Sequence, residues 1–136
     1  MINHIRIKNF RSVRDIELEL GALNIVFGPN GCGKSNIYKA IHLLTASADG
    51  QFSGYISDEG GLENIMWSGP SAPTDRFPRR LQIACLTDEF DYELQVGFPE
   101  KLPYPTQFVL DPIVKEESIW LAGFSTYRKG FAALLQ

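Results

Sequence analysis

The sequence has 136 residues, of which 44% are hydrophobic, 12% aromatic and 21% charged. That is one domain's length with apolar material for a core, and it excludes a disordered tail, a collagen-like fibre and a disulfide scaffold. The net charge of −3 argues against a surface that coats nucleic acid at large.

The charge is uneven along the chain. Residues 1–40 carry six basic side chains (Arg6, Lys8, Arg11, Arg14, Lys34, Lys39) against three acidic ones (Asp15, Glu17, Glu19), a net of +3. Residues 41–136 carry seven basic and thirteen acidic, a net of −6. An anionic ligand therefore belongs with the first forty residues. No run of about 18 apolar residues offers a membrane span. The polar–apolar alternation after Met1 is unlike a secretion signal, so a cytoplasmic location is expected. The two cysteines, Cys32 and Cys85, have neither metal-ligand spacing nor a His/Cys cluster beside them. One loop thiol and one core thiol is the simplest reading.

In chain order, residues 4–10 alternate with Ile5 and Ile7 on one face, the period of a half-buried strand. Arg11-Ser12 reads as a turn. Residues 15–20 alternate again, with Ile16, Leu18 and Leu20 opposite Asp15, Glu17 and Glu19, which predicts an antiparallel pair. Gly21 ends it. Residues 23–27 (Leu-Asn-Ile-Val-Phe) are expected to form a strand buried on both faces. A glycine-rich loop follows at 28–33, and a helix begins near Lys34 with Ile37, Ala40, Ile41 and Leu44 at helical spacing. Residues 51–58 read as a loop, 61–67 as a short helix, and 68–78, with three prolines, as another loop. Residues 81–86 and 90–98 predict a hairpin turning at Asp88-Glu89, with Phe90, Tyr92, Leu94, Val96 and Phe98 on one face. Pro99, Pro103 and Pro105 mark a further loop. Strands are expected at 108–114 and 119–124. The single domain thus divides into strands, loop and helix (1–46), a loop-rich insert (47–80) and antiparallel strands (81–125).

Gly28-Pro29-Asn30-Gly31-Cys32-Gly33-Lys34-Ser35 matches G-x-x-x-x-G-K-[ST], the P-loop or Walker A motif. Such a loop curls so that successive backbone N–H groups face a phosphate, and glycine supplies the dihedrals this needs. Lys34 brings a cation to the β- and γ-phosphates of a nucleotide. The Ser35 hydroxyl suits Mg²⁺. The helix starting there adds its positive end. A buried strand before the motif and a helix after it are the context the motif requires.

Pro29 to Asn36, preceded by a strand ending in Lys8-Asn9-Phe10-Arg11-Ser12, resembles the ATPase heads of the RecF, SMC and OLD-like branch of the ABC-type ATPases. Residues 60–67 (Gly-Gly-Leu-Glu-Asn-Ile-Met-Trp) also look like a stretch found in bacterial predicted ATPases of that group. The resemblance covers residues 1–46 closely and extends to about 125. It implies an α/β fold, a P-loop NTPase N-terminal lobe, in which an antiparallel β-sheet packs on an incomplete core sheet beside one main P-loop helix. It implies ATP and Mg²⁺ as ligands, held by residues 30–35 with Gly28 and Pro29 at the loop's base. Asn36 would line the same pocket. Phe10, Arg11 and Ser12 would stand close by, with Arg11 either a phosphate or base contact or a solvated turn residue.

The same resemblance implies parts that this sequence does not show. A head of this kind needs a Walker B strand ending in Asp-Glu, whose Asp supports Mg²⁺ and whose Glu orients water. It also needs a Ser-Gly-Gly signature from a second head, and no Ser-Gly-Gly occurs here. Residues 83–89, ending in Asp88-Glu89, and 108–112, with Asp111, imitate Walker B poorly. The expectation is a lobe that awaits a C-terminal lobe, self-associates through uncovered apolar surface, and meets DNA only within a longer protein. A non-catalytic assembly or regulatory module that still binds nucleotide is the alternative. A small P-loop kinase is a weaker one, since Arg76, Arg79 and Arg80 are the sole downstream arginine cluster.

Overall fold

The computed structural model describes residues 1–70, 79–99 and 111–124. Five strands form one sheet: β1 (Ile2–Phe10), β2 (Val13–Glu19), β3 (Leu81–Thr87), β4 (Phe90–Gly97) and β5 (Ile113–Leu121). Their order is β2-β1-β3-β4-β5, and every neighbouring pair is antiparallel. Three helices accompany them: α1 (Lys34–Ala48), α2 (Phe52–Asp58) and α3 (Leu62–Ile65).

The register explains the core. Ile5 faces Leu18 on one side and Cys85 on the other, and Ile7 lies between Ile16 and Ile83. Ile83 in turn pairs with Leu94. Ile7, Ile83 and Leu94 are therefore one cross-strand row with Ile5 beside it on the same face, and all four are fully buried. Ala40, Leu43 and Ala46 of α1, with Tyr55 and Ile56 of α2, pack into the same cluster. The buried stripe of α1 runs along Ala40, Leu43 and Ala46, while Ile37, Ile41 and Leu44 flank it half-buried. The side chains at these buried positions repeat every third residue, so two small alanines let the helix approach the sheet closely.

Four expectations are corrected. Residues 23–27 form no strand: Leu23, Ile25, Val26 and Phe27 are 83%, 78%, 55% and 90% exposed. A strand needs a neighbour for its backbone groups, and no described strand lies beside this segment. Residues 51–58 carry α2, because Phe52, Tyr55 and Ile56 repeat at helical spacing and two of them are buried. The final pair of strands is one: β5 runs from Ile113 to Leu121 as a partner of β4, with a register shift at Lys115. Phe90 is 39% exposed at the start of β4 and does not join the buried row of Leu94 and Val96. The 108–110 part of the expected strand, Arg76, Pro73, Pro103 and Pro105 lie outside the described residues.

Candidate functional site

The loop at 28–35 sits where the β1–β2 hairpin meets the start of α1. Gly31 and Gly33 have φ of 83° and 97°, a left-handed region that a side chain strains to adopt. Gly33 is also crowded: a Cβ there would stand 3.1 Å from Ser12 Oγ. Gly33 is the N-cap of α1 and supplies no side-chain cap, and the first turn of the helix holds no acidic residue. Such a helix end leaves N–H groups open towards an anion, with the helix dipole favouring negative charge.

A cavity of about 230 Å³ opens at this place, lined by Asn30, Gly31, Gly33, Lys34, Ser35 and Asn36. Six of the nine motif-region residues expected to bind a nucleotide thus share one concavity. Cys32 does not line it, but its Sγ lies 3.8 Å from Lys34 Nζ. The Lys34 ammonium donates to the carbonyls of Gly28 and Pro29, each at 2.7 Å, and so folds back across the loop. These neutral acceptors are weaker partners for an ammonium than phosphate oxygens. Asn36 Nδ2 donates to Ser12 Oγ at 2.7 Å, which joins the hairpin turn to the helix.

Arg11 is placed differently from its neighbour Ser12. Its backbone is left-handed, with φ of 50°, and Asn9 has φ of 57°. A non-glycine residue there costs about 1–3 kcal/mol and persists only where the surroundings hold it. Here they do: Arg11 N–H donates to Ile65 C=O at 2.8 Å, Trp67 N–H donates to Asn9 C=O at 2.9 Å, and Asn9 Nδ2 donates to Arg80 C=O at 2.8 Å. The Arg11 guanidinium pairs with Glu59, whose carboxylate also accepts Lys39 Nζ at 3.0 Å through both oxygens. Glu59 escaped sequence reasoning because its partners lie 48 and 20 residues away, beyond any periodic pattern. The Tyr55 hydroxyl donates to Lys39 C=O at 2.9 Å, and burial raises its pKa, against a lowering influence from Arg11.

The Walker B imitations fall elsewhere. Asp88 accepts hydrogen bonds from the Met1 amine at 3.0 Å and from Asn3 Nδ2 at 2.6 Å. That places it at the beginning of β1, while Ser12 follows the strand's end. Nine extended residues span roughly 26 Å at about 3.3 Å each. Asp111 lines a separate cavity of about 570 Å³ with Ser53, Ile56, Ser57, Gly60, Gly61, Leu62 and Pro112. Arg79 is structural: it donates to the carbonyls of Trp67 and Gly69 at 2.6 and 2.8 Å and stacks on Trp67, which Arg14 also approaches. Trp67 thereby ties residues 60–67, which the resemblance singled out, to β2 and the start of β3. Among the described residues no group of three metal-ligating side chains occurs, and no helix is long and apolar enough to cross a membrane.

Known proteins share this region. An OLD nuclease of Thermus scotoductus is 48% identical over 44 residues, covering 32% of this chain and 8% of that protein. An uncharacterised protein of Methanocaldococcus jannaschii is 41% identical over 70 residues, 51% of this chain and 31% of its own length. A DNA replication and repair protein RecF of Lactococcus lactis is 39% identical over 69 residues, 50% of this chain and 18% of its own. The chain therefore spans under a third of each of these relatives. No solved structure matches it. The family model described as AAA ATPase domain matches residues 1–99. On that match the chain belongs to the AAA ATPase domain family, in the company of RecF and OLD-like ATPases.

Proposed function

We propose that this chain is the ATP-binding lobe of an ABC/RecF-like ATPase and that residues 28–35 hold the phosphates of Mg·ATP. The observation that carries the reading is the cavity at the uncapped start of α1, lined by glycines with positive φ and by Lys34. The residues suit a triphosphate: the open N–H groups at the start of α1 would meet its oxygens, Lys34 would exchange two carbonyls for phosphate oxygens, and Asn36 lines the same cavity. Ser35, exposed beside Lys34, supplies a hydroxyl for Mg²⁺. The metal would neutralise charge on the β- and γ-phosphates. Arg11 is not among the residues lining this cavity; Glu59 holds its guanidinium.

The lobe reading also accounts for the exposed Leu23, Ile25, Val26 and Phe27. They are apolar surface of the kind a second, parallel sheet would cover, and covering it would complete the core sheet. On this reading a C-terminal lobe brings Walker B and a second head brings the signature loop. Hydrolysis, dimerisation and any work on DNA then belong to the assembled protein. Free Cys32 and Cys85 suit a reducing cytoplasm.

The test is phosphate release by the purified chain in Mg·ATP. No release from a chain that binds the nucleotide is expected. Turnover that disappears in Lys34→Ala would place a Walker B equivalent within these residues and overturn the division of labour.

A further inference from the structure

The cluster around Glu59 reaches α1 about one helical turn beyond the glycine-rich loop, through Lys39. Lys39 is four residues after Ser35 on α1, about 6 Å along the helix axis. Arg11 precedes Ser12, whose hydroxyl is bonded to Asn36. Glu59 follows the last residue of α2 and puts one carboxylate between the two cations. The side chains of Arg11 and Glu59 are only 22% and 20% exposed, and that of Lys39 is 40% exposed. Partial burial reduces solvent screening, so the three-way contact is stronger than an exposed ion pair.

From this we infer that Glu59 is a positioning residue for the nucleotide site: by holding Arg11 and Lys39 together it fixes the β1–β2 turn against α1. The inference rests on the reading of residues 28–35 as the phosphate loop. The hairpin has a separate anchor on its other side, where Arg11 N–H and Trp67 N–H close backbone bonds with residues 65 and 9. Those bonds keep the turn folded whatever stands at position 59. The end of β1 is held near α1 by Phe10, buried in one cluster with Ala40 and Leu43. The polar ties of the turn itself to α1 are Ser12–Asn36 at the helix start and Arg11–Glu59–Lys39 one turn further along. If the carboxylate is lost, two half-buried cations face each other, the turn drifts from the helix, and Ser12 leaves Asn36 and the edge of the phosphate cavity.

The experiment is a double-mutant cycle read in Mg·ATP affinity and in melting temperature, using Glu59→Gln, Lys39→Met and the double variant. Each single variant is expected to weaken binding about tenfold, and the double variant no further, because each removes the same bridge. Melting temperatures should stay within a few degrees of the parent. Unchanged or tighter binding in Glu59→Gln, or losses that add in the double variant, would overturn the inference. A lowered melting temperature with unchanged affinity would make Glu59 a stabilising residue only and overturn it too. If Glu59→Gln does not fold, Lys39→Met at the more exposed end carries the test alone. Should the parent chain fail to bind Mg·ATP, the phosphate-loop reading falls and this inference with it; binding that survives Glu59→Gln removes this inference only.

Discussion

Ser12 and Asn36, 24 residues apart, are joined by a hydrogen bond of 2.7 Å from the Asn36 amide to the Ser12 hydroxyl. The bond links the tip of the β1–β2 hairpin to the first turn of α1, and it passes beside Gly33, where a Cβ would come within 3.1 Å of the same hydroxyl.

This geometry predicts unequal effects for two substitutions. Ser12→Ala removes an exposed hydrogen bond worth about 1 kcal/mol and should weaken Mg·ATP binding about fivefold. Gly33→Ala forces a side chain into φ of 97° against Ser12. It should cost roughly 1–2 kcal/mol of stability and abolish detectable binding. Denaturant melts and nucleotide titrations on both variants check this. Equal tolerance of the two would show that the turn does not abut the loop.

The two thiols should differ sharply. Cys32 is exposed beside Lys34, and Cys85 is buried in β3. Burial, with the Asp91 carboxylate adding to it, raises the Cys85 pKa and slows its reaction further. A chromogenic disulfide reagent should therefore modify one thiol quickly and one slowly. Saturating Mg·ATP should protect the fast thiol if the loop that carries Cys32 holds phosphate as proposed. Unprotected Cys32 under saturating nucleotide would contradict the site.

Ile25 and Phe27 are predicted to drive association of the isolated chain. At 78% and 90% exposed, with Leu23 and Val26 exposed as well, they concentrate apolar surface in one short segment. The double change Ile25→Ser and Phe27→Ser should shift the chain towards monomer by light scattering. It should leave unfolding stability within about 0.5 kcal/mol, since neither side chain packs in the core. A parent chain that is already monomeric would count against the segment as a contact surface.

Tyr92 gives the fold an alkaline limit. Its hydroxyl donates to Glu117 Oε1 at 2.6 Å, and burial followed by that bond pushes its pKa up to about 12 from an ordinary 10.0. A folded-state pKa above the unfolded one stabilises the fold below pH 10 and loses that contribution as pH climbs to 12. Stability measured from pH 9 to 12 should decline less steeply in Tyr92→Phe than in the parent. Identical profiles would remove Tyr92 from the account.

Much of this was legible in local patterns. The alternation at Ile5 and Ile7 and at Ile16 and Leu18 gave the first hairpin its register, and Gly28 to Ser35 announced a helix at Lys34 by spacing alone. What failed depended on partners. Residues 23–27 have a buried strand's composition, yet burial is a property of the neighbour, and no described strand lies beside them. Helix α2 was hidden by Ser53, Gly54 and Ser57, polar or flexible residues that mask the spacing of Phe52, Tyr55 and Ile56. Glu59 left no trace, because an ion pair across 48 residues has no period. The turn at Asp88-Glu89, by contrast, was legible from the apolar stretches on either side of it, and the antiparallel register of β3 and β4 agrees.

The most direct measurement is the heat of Mg·ATP binding to the 136-residue chain, with Lys34→Ala titrated in parallel. The account predicts saturable binding to the parent and none to the variant, with both folded to the same extent by circular dichroism. Equal binding by parent and variant, or none by a folded parent, would contradict the assignment of residues 28–35 as the phosphate site.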